Sequence, residues 1–247
     1  MSFVLVGVLA AVTAFAMHHE GYLSLVTPPL GLAIVAGLAV IAWLAATERS
    51  CRLASLVLSI FVVEYVKESI GVRSGLWTYR GNPGQYLFGV WLWVIAGSAA
   101  YALAKKVAVP LLRRTRLSPH RWTNAAVVLA VGSIIPISLG NYRQGTGVAF
   151  AVFYAVLLTA GVAASLRMSF TTLLGIVLTS WAVANPSEYV GSMGSGIWTF
   201  PHDPSYPPLF LLFGCWPLEI IAQVSLSALL ASESLDMSPA GSAEDLP

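Results

Sequence analysis

Long apolar runs separated by short polar connections constrain the fold of this chain more than any other feature. Only 10% of the 247 residues are charged, whereas 57% are hydrophobic. An α-helix needs roughly 20 consecutive apolar residues to cross the hydrocarbon core of a bilayer. Runs of about this length occupy residues 3–17, 28–46, 53–70, 86–104, 124–141, 147–166, 169–187 and 208–231. The sequence therefore predicts an all-α bundle of eight transmembrane helices, or seven if the first run is not a full span.

The distribution of Lys and Arg predicts how this bundle is oriented. The connection at residues 105–122 carries six of these residues, and cytoplasmic loops of membrane proteins are enriched in them. We therefore expect 105–122 to be a basic cytoplasmic loop, which with eight spans places both termini in the cytoplasm. The basic residues form no continuous patch with exposed aromatic residues, so nucleic acid is not an expected partner. Residues 232–247 are polar and acidic, which predicts a disordered tail.

Two similar segments follow each other in the same order in the two halves of the chain. SGLWTY at 74–79 precedes LFGVWLWVIA at 87–96, and SGIWTF at 195–200 precedes LFGCWPLEIIA at 212–222. Upstream, EYVKESIGV at 64–72 corresponds loosely to EYVGSMGS at 188–195. This pattern predicts two parallel membrane repeats of about four helices, at 1–104 and 123–231, whose Trp motifs lie on the same face and enclose one shared cavity.

Four glutamates interrupt the apolar runs. Glu64 and Glu68 lie toward the end of the third run, Glu188 ends the seventh, and Glu219 is near the middle of the eighth. A charged side chain costs roughly 2.5–3.5 kcal/mol at the bilayer centre, so such residues face a bundle interior and mark functional sites. Glu219, which has no cation near it in sequence, is the strongest candidate. As structural alternatives, Glu64 could simply pair with Lys67, and Glu68 and Glu188 could lie at the membrane interface.

The repeated tryptophans are the second group of candidates. Trp77 and Trp198 each follow a Ser-Gly pair, and the glycine allows a tight chain reversal next to the acids. Trp91 and Trp216 occupy matching places in the repeat and are expected to line the cavity. An interfacial belt of aromatic residues is the alternative explanation.

Metal and disulfide chemistry have little basis in the sequence. His18, His19 and Glu20 lack the i, i+4 spacing of a helical metal site, and Cys51 and Cys215 have no metal-ligand spacing. We expect neither a metal site, nor a disulfide, nor a cofactor. Asp203 is interpreted as a loop residue, with a further acid at the cavity mouth as the alternative.

Carboxyl groups in an apolar, aromatic cavity suit one kind of chemistry. A carboxyl group removed from water keeps its proton and can donate it to a weak base such as an alkene. Aromatic faces then stabilise the carbocation by roughly 0.5–2 kcal/mol each, and a second carboxylate removes a proton or positions water. The expected partner is a lipophilic, unsaturated isoprenoid dissolved in membrane lipid.

These motifs also resemble a known family. EYVGSMGSGIWTF followed by FGCWPLEII resembles the small membrane lycopene cyclases, in which a W-x-F/Y loop precedes a proline-x-glutamate on the next helix. The first copy, ESIGVRSGLWTY, is similar to the carotenoid hydratases that act on bisanhydrobacterioruberin. The resemblance implies an acid motif at Pro217 and Glu219 and a substrate loop with Trp198 and Phe200. Trp77 and Tyr79 would be the counterparts of that loop in the first half.

The acid motif departs from this family, since lycopene cyclases usually show two adjacent acids where Glu219 is followed by Ile220. The chain also has one acid in the third span and one in the last, an arrangement similar to that of the integral membrane terpene cyclases of meroterpenoid pathways. This resemblance implies that Glu64 or Glu68 pairs with Glu219. The resemblances together imply an isoprenoid cyclase, with a carotenoid hydratase as the nearest variant.

Other classes of membrane protein remain as alternatives. A secondary transporter also contains repeats and intramembrane acids, and a non-catalytic scaffold would use the acids for stability alone. A retinal-binding photoreceptor would need a lysine in the last helix, and residues 208–231 contain none.

Overall fold

The computed structural model describes residues 2–80, 86–117, 119–139, 148–201 and 208–237, which form eight helices and one pair of very short strands. The helices are α1 (Ser2–His19), α2 (Pro28–Thr47), α3 (Ser50–Arg73), α4 (Leu87–Arg113), α5 (Arg121–Leu139), α6 (Val148–Ser165), α7 (Phe170–Glu188) and α8 (Phe210–Ala231). Each helix coincides with one of the eight apolar runs, so the all-α prediction is confirmed.

Four of the helices are long and apolar enough to cross a membrane, namely α2, α4, α6 and α8. The apolar windows of α4 and α8 are each 83% buried inside the bundle, whereas those of α2 and α6 are only 28% and 33% buried. The outer helices therefore present apolar side chains such as Val35 and Val152 outward, where lipid would cover them. This arrangement is consistent with a membrane protein, and α4 and α8 form its centre.

Helix α3 carries Glu64, Lys67 and Glu68 and packs against both central helices. Gly97 of α4 allows this close approach, because a Cβ atom there would lie 3.2 Å from Ile60 of α3 and 3.3 Å from Gln223 Oε1 of α8. The three helices therefore meet closely enough for their polar side chains to contact one another.

The two Trp motifs, SGLWTY at 74–79 and SGIWTF at 195–200, pair with each other. Strands β1 (Thr78–Tyr79) and β2 (Trp198–Thr199) are antiparallel, with Thr78 opposite Thr199. Gly75 and Gly196 have φ angles of 70° and 63°, a left-handed conformation that glycine adopts without steric cost. Each glycine reverses the chain after a helix, so that both motifs return over the same end of the bundle.

A π-helical turn at Tyr189–Gly194 extends α7 and explains the gap between the two copies of the motif. Glu68 and Glu188 each lie three residues before a glycine, Gly71 or Gly191, that contacts the Trp of its own motif. Counted from this glycine, the glycine with a left-handed conformation lies four residues further in the first copy and five residues further in the second. A π-helical turn accommodates one residue more than an α-helical turn. Glu188 is thus the counterpart of Glu68, rather than of Glu64 as the sequence comparison predicted.

The basic segment at 105–122 is not a loop throughout, because α4 continues to Arg113 through a π-helical turn at Ala104–Ala108. Lys105 and Lys106 lie 2.8 and 3.3 Å from the carboxylate of Glu48, beyond the end of α2. Glu48 offsets the charge of the two ammonium groups, and the long aliphatic stems of the lysines can lie along apolar surface. The helix can therefore continue through charged residues.

The first residues of the predicted tail pack against α7. Asp236 accepts hydrogen bonds from the hydroxyls of Ser169 and Thr172, at 2.7 and 2.6 Å, at the beginning of that helix. An anionic side chain is stabilised by the exposed N–H groups of a helix N-terminus. The remainder of the tail, 238–247, lies outside the described residues.

Candidate functional site

Lys67 lies at the centre of a buried cluster of charged residues. Its Nζ atom is 2.5 Å from Glu64 Oε2 and 3.7 Å from Glu68 Oε1, both on the same face of α3. Glu219 of α8 contributes a third carboxylate, with its Oε2 atom 3.4 Å from the ammonium. All of these side chains are at most 2% exposed. The predicted pairing of Glu64 with Lys67 is therefore present, within a larger cluster that includes Glu219.

Glu68 is held by the first Trp motif. Trp77 Nε1 donates a hydrogen bond of 2.7 Å to Glu68 Oε2, and the Tyr79 hydroxyl donates one of 3.0 Å to the same oxygen. The indole lies directly on Gly71, where a Cβ atom would be 2.0 Å from the ring. The motif thus covers Glu68 from the end of the bundle.

Glu188 is held in the same way by the second motif. Trp198 Nε1 donates to Glu188 Oε2 at 2.9 Å, and Trp216 Nε1 donates to Oε1 at 3.3 Å. The Trp198 ring lies on Gly191, where a Cβ atom would be 1.7 Å away. Among the residues that the structure describes, no basic side chain lies within 4.0 Å of Glu188. Its carboxyl group is therefore bound by neutral donors alone, unlike the other three.

Two further polar side chains complete the cluster on its other side. The Tyr154 hydroxyl of α6 donates a hydrogen bond to Glu219 Oε1, and Gln223 Nε2 donates one of 2.7 Å to Glu64 Oε1. Glu64 and Glu219 thus form a pair of acids away from the Trp motifs, and Glu68 and Glu188 form a pair beneath them.

Aromatic faces surround the ammonium group of Lys67. Its Nζ atom lies 4.0 Å from the centre of the Trp216 ring and 4.9 Å from that of Trp93, which is within range of cation–π attraction. The Trp93 and Trp216 rings are themselves 4.3 Å apart, and Trp93 lies 5.3 Å from Trp198. The site therefore already holds a cation, the ammonium group of Lys67, against the faces of two aromatic rings.

The charges in this cluster do not balance if every group is ionised. Four carboxylates would then face one ammonium group: those of Glu64, Glu68, Glu188 and Glu219 against that of Lys67. Three negative charges would be left uncompensated, on side chains that are each at most 2% exposed. A buried charge without a partner is strongly destabilising. The cluster as a whole therefore retains protons, and interacting carboxyl groups share them.

Two cavities meet at the rings of Trp93 and Trp198. A small void of about 10 Å³ is lined by Lys67, Glu68 and Glu188 together with aromatic side chains that include Phe200. An apolar cleft of about 220 Å³ lies between α2, α4 and α7 and opens toward the outside of the bundle. Because both rings line both spaces, they form the wall between the acids and the cleft.

The structure brings most of the predicted site residues together. The four glutamates and five of the aromatic residues lie in or around the cluster; these aromatic residues are Trp77, Tyr79, Trp198, Phe200 and Trp216. Trp91 does not belong to it, because its half-buried ring packs on Phe61 with 5.0 Å between the centroids. Trp93, two residues further and so on another side of α4, takes the place that the repeat predicted for Trp91.

Several residues of the site were not identified from the sequence. Gln223 could have been found, because it lies four residues after Glu219 on the same helix face. Trp93 and Tyr154 have no distinguishing signal among the many aromatic residues of the chain. His202 and Asp203 lie outside the described residues.

Comparisons with known proteins do not assign a relative, since no protein-family model, curated protein or solved structure matches the chain.

Proposed function

We propose that this protein is an integral membrane isoprenoid cyclase that protonates an alkene of a lipophilic substrate with a buried carboxylic acid. The observation that carries this proposal is the wall formed by Trp93 and Trp198, which lies between a cluster of buried carboxyl groups and an apolar cleft. The proposal includes a multi-pass chain of up to eight spans in two parallel repeats, with both termini in the cytoplasm.

The cleft between α2, α4 and α7 suits a hydrocarbon chain. Its lining is almost wholly apolar, with side chains such as Leu30, Ala36 and Ala96. Since α2 is an outer helix whose apolar surface is mostly exposed, the cleft faces the lipid. An isoprenoid dissolved in the bilayer would enter sideways without crossing water.

We assign Glu188 as the proton donor. Donor groups that carry no charge leave a buried carboxyl group neutral more readily than an ammonium group does. Glu188 is held by two indole N–H groups and faces the same small void as Glu68. Glu68, beside Lys67, is the carboxylate best placed to accept a proton.

The reaction follows from these two positions. The Glu188 proton adds to one carbon of an alkene, whose π electrons form the new C–H bond and leave a carbocation on the neighbouring carbon. A second double bond attacks that carbon and closes a ring, which moves the positive charge to the far carbon of that double bond. Loss of a neighbouring proton to Glu68 restores an alkene, and transfer of this proton from Glu68 to Glu188, which line the same small void, restores both acids. The product is an isomer of the substrate. If water captures the cation instead, the product is a hydrate, as in the alternative function.

The aromatic rings and the acids stabilise the cation. The ring of Trp198 lies between the cleft and Glu188 and offers a face for cation–π attraction. The positive charge of Lys67 does not prevent this stabilisation of the carbocation, because three carboxyl groups within 4.0 Å of the ammonium group offset that charge. The void is much smaller than an isoprenoid end group, so the substrate reaches the acid only when Trp198 or Trp93 rotates.

Product analysis in cells tests the function. The chain is expressed in cells that accumulate linear isoprenoids, such as lycopene or farnesyl-linked precursors, and lipid extracts are examined by mass spectrometry. A product of unchanged mass supports cyclisation, and a gain of one water supports the hydratase alternative. Absence of any product from a folded, membrane-inserted protein would contradict both.

Two glutamine variants then test the assignment of the donor. Glu188→Gln should lower turnover by about 10²-fold or more, because proton transfer by a positioned side chain contributes about that much. Glu219→Gln should also lower turnover, since it removes a carboxylate from Lys67 and from Tyr154. Glu48→Gln is the matched control, and it lies at the end of the bundle that carries Arg52, Lys105 and Lys106, which we call the basic end. Normal turnover in Glu188→Gln would remove Glu188 from the role of donor.

Blocking the cleft tests the entry route. Ala36→Phe would fill the cleft between α2 and α4, whereas Ala160→Phe would fill a separate cleft between α6 and α8 that no residue of the cluster lines. Both alanines are exposed on outer helices, so the two variants are a matched pair. We expect Ala36→Phe alone to raise the KM. Equal effects in the two variants would contradict entry through the first cleft.

A further inference from the structure

A line of buried polar side chains leads from the carboxylate cluster to the basic end of the bundle. It begins at Gln223, whose amide nitrogen binds Glu64 while its Oε1 atom has no hydrogen-bond partner among the described residues. That oxygen faces α4 beside Gly97. Ser227, four residues further along the same face of α8, is 0% exposed, and its hydroxyl also has no partner in the part of the chain that the structure describes.

The line continues on α4. Ser98 follows Gly97 and is 0% exposed, and no described residue forms a hydrogen bond with its hydroxyl. Tyr101 lies three residues further on the same face, and its hydroxyl accepts a hydrogen bond of 3.4 Å from Arg52 Nε. Arg52 is 3% exposed, and its Nη1 atom is again without a partner within the described ranges.

The unpartnered serines differ from other buried serines of the bundle. Ser59 and Ser180 are both fully buried, and each donates to the backbone carbonyl four residues earlier, at 2.7 and 2.6 Å. This is the usual way for a serine to satisfy its hydroxyl within a helix. Ser98 and Ser227 do not use it, so their hydroxyls are available for another hydrogen-bond partner.

The line ends where solvent begins. Arg52 Nε lies 3.6 Å from Glu233 Oε2, and the Glu233 side chain is 31% exposed. Gln223 and Ser227 are four residues apart on α8, which is about 6 Å along the helix, and one water molecule can bridge that distance with two hydrogen bonds of about 2.8 Å. Buried polar groups without protein partners are the groups that ordered water binds.

We infer that Gln223, Ser98, Ser227 and Arg52 bind a chain of water molecules that carries protons between the carboxylate cluster and the basic end of the bundle. This polar pathway gives the buried acids a route for protons that does not pass through the apolar cleft. The titratable groups along it are Glu64 at one end, Tyr101 between Arg52 and Lys105, and Glu233 at the other end. The inference does not depend on the proposed function, because any buried acid that changes its protonation needs such a route.

Hydrogen–deuterium exchange of the carboxyl groups tests the pathway without any substrate. The purified protein in lipid nanodiscs is transferred to D₂O, and the shift of the infrared band of its protonated carboxyl groups is followed with time. In Ser98→Val/Ser227→Val, both hydroxyls are replaced by apolar groups that fill the space. We expect exchange to be slower by about tenfold, as for the loss of buried hydrogen bonds along a path.

A matched variant and a second measurement keep this test decisive. Ser59→Val/Ser180→Val also removes two fully buried hydroxyls, but ones bonded to their own helices, and should exchange at the rate of the unaltered protein. Thermal unfolding shows that each variant is folded. Unchanged exchange in Ser98→Val/Ser227→Val, equal slowing in both double variants, or the absence of a protonated carboxyl band would overturn the inference.

Discussion

Replacing Lys67 by methionine would remove the one cation of the buried cluster while keeping a side chain of similar length. The change takes away an ammonium group that lies 2.5, 3.4 and 3.7 Å from three carboxyl groups. It also removes the cation–π contacts of that group with Trp216 and Trp93 at 4.0 and 4.9 Å. The remaining acids would be left buried with no cation among them.

The expected loss of stability follows from these contacts. Removing one partner of a buried ion pair costs about 3–5 kcal/mol, and a desolvated cation–π contact adds up to about 2 kcal/mol. The acids can take up protons and so relieve part of this loss, which keeps the total near about 3–5 kcal/mol. For a protein of this size each kcal/mol lowers the Tm by about 2–4 °C, which gives a decrease of about 6–20 °C.

Thermal unfolding in detergent micelles, followed by circular dichroism, measures this decrease. Lys67→Met/Glu64→Gln should be more stable than Lys67→Met alone, by about 1 kcal/mol or more, because it removes one of the uncompensated acids. Lys105→Met is the control, since Lys105 is 23% exposed and Lys106 would still pair with Glu48 at 3.3 Å, so that no carboxylate is left without a cation. The charge argument would be refuted if Lys67→Met were as stable as Lys105→Met, or if Glu64→Gln gave no recovery.

Two other predictions concern the Trp motifs and the end of α1. Gly71→Ala and Gly191→Ala should each destabilise the protein by about 1–3 kcal/mol, because the new Cβ atom would overlap the ring of Trp77 or Trp198; Gly7→Ala, which meets no atom within 4 Å, is the control in the same unfolding assay. If the two variants matched that control, the indoles would not rest on these glycines. Burial raises the pKa of Glu20 even though the N–H groups of Leu87 and Phe88 donate hydrogen bonds to its carboxylate. The folded state therefore binds this proton more tightly than the unfolded chain, and stability should fall as pH rises from the ordinary value of 4.5 through the higher folded value. Glu20→Gln should remove that part of the pH dependence of the Tm, and identical pH profiles of the two proteins would contradict it.

The helices and the choice of acids could be predicted because their causes are local in sequence. An apolar run of a given length specifies a helix whatever its neighbours are, and the eight runs agree with the eight helices to within a few residues except at α4. A glutamate in such a run is costly wherever the helix packs, so Glu64 and Glu219 were identifiable as special before any fold was known. The number of membrane spans stays a prediction, since four helices meet the criterion of length and hydropathy.

The end of α4 and the partners of the acids could not be predicted, because they depend on contacts between distant segments. Lys105 and Lys106 read as the start of a loop until Glu48 is placed beside them. Trp93 rather than Trp91 lines the site because the direction in which α4 faces α3 and α8 is set by packing. Tyr154 reaches Glu219 from a helix that gives no sign of it in sequence.

The repeated SGLWTY and SGIWTF motifs show the same division. Their sequences by themselves determined that a left-handed glycine would reverse the chain and place a tryptophan near an acid, because these effects act over a few residues. Only the tertiary structure decided that the two motifs pair with each other and that Glu68, Glu188 and Glu219 gather around or beside Lys67. A lone acid has nothing in its own helix to balance its burial, so its state is set by whichever cation and donors the packing of other helices brings to it.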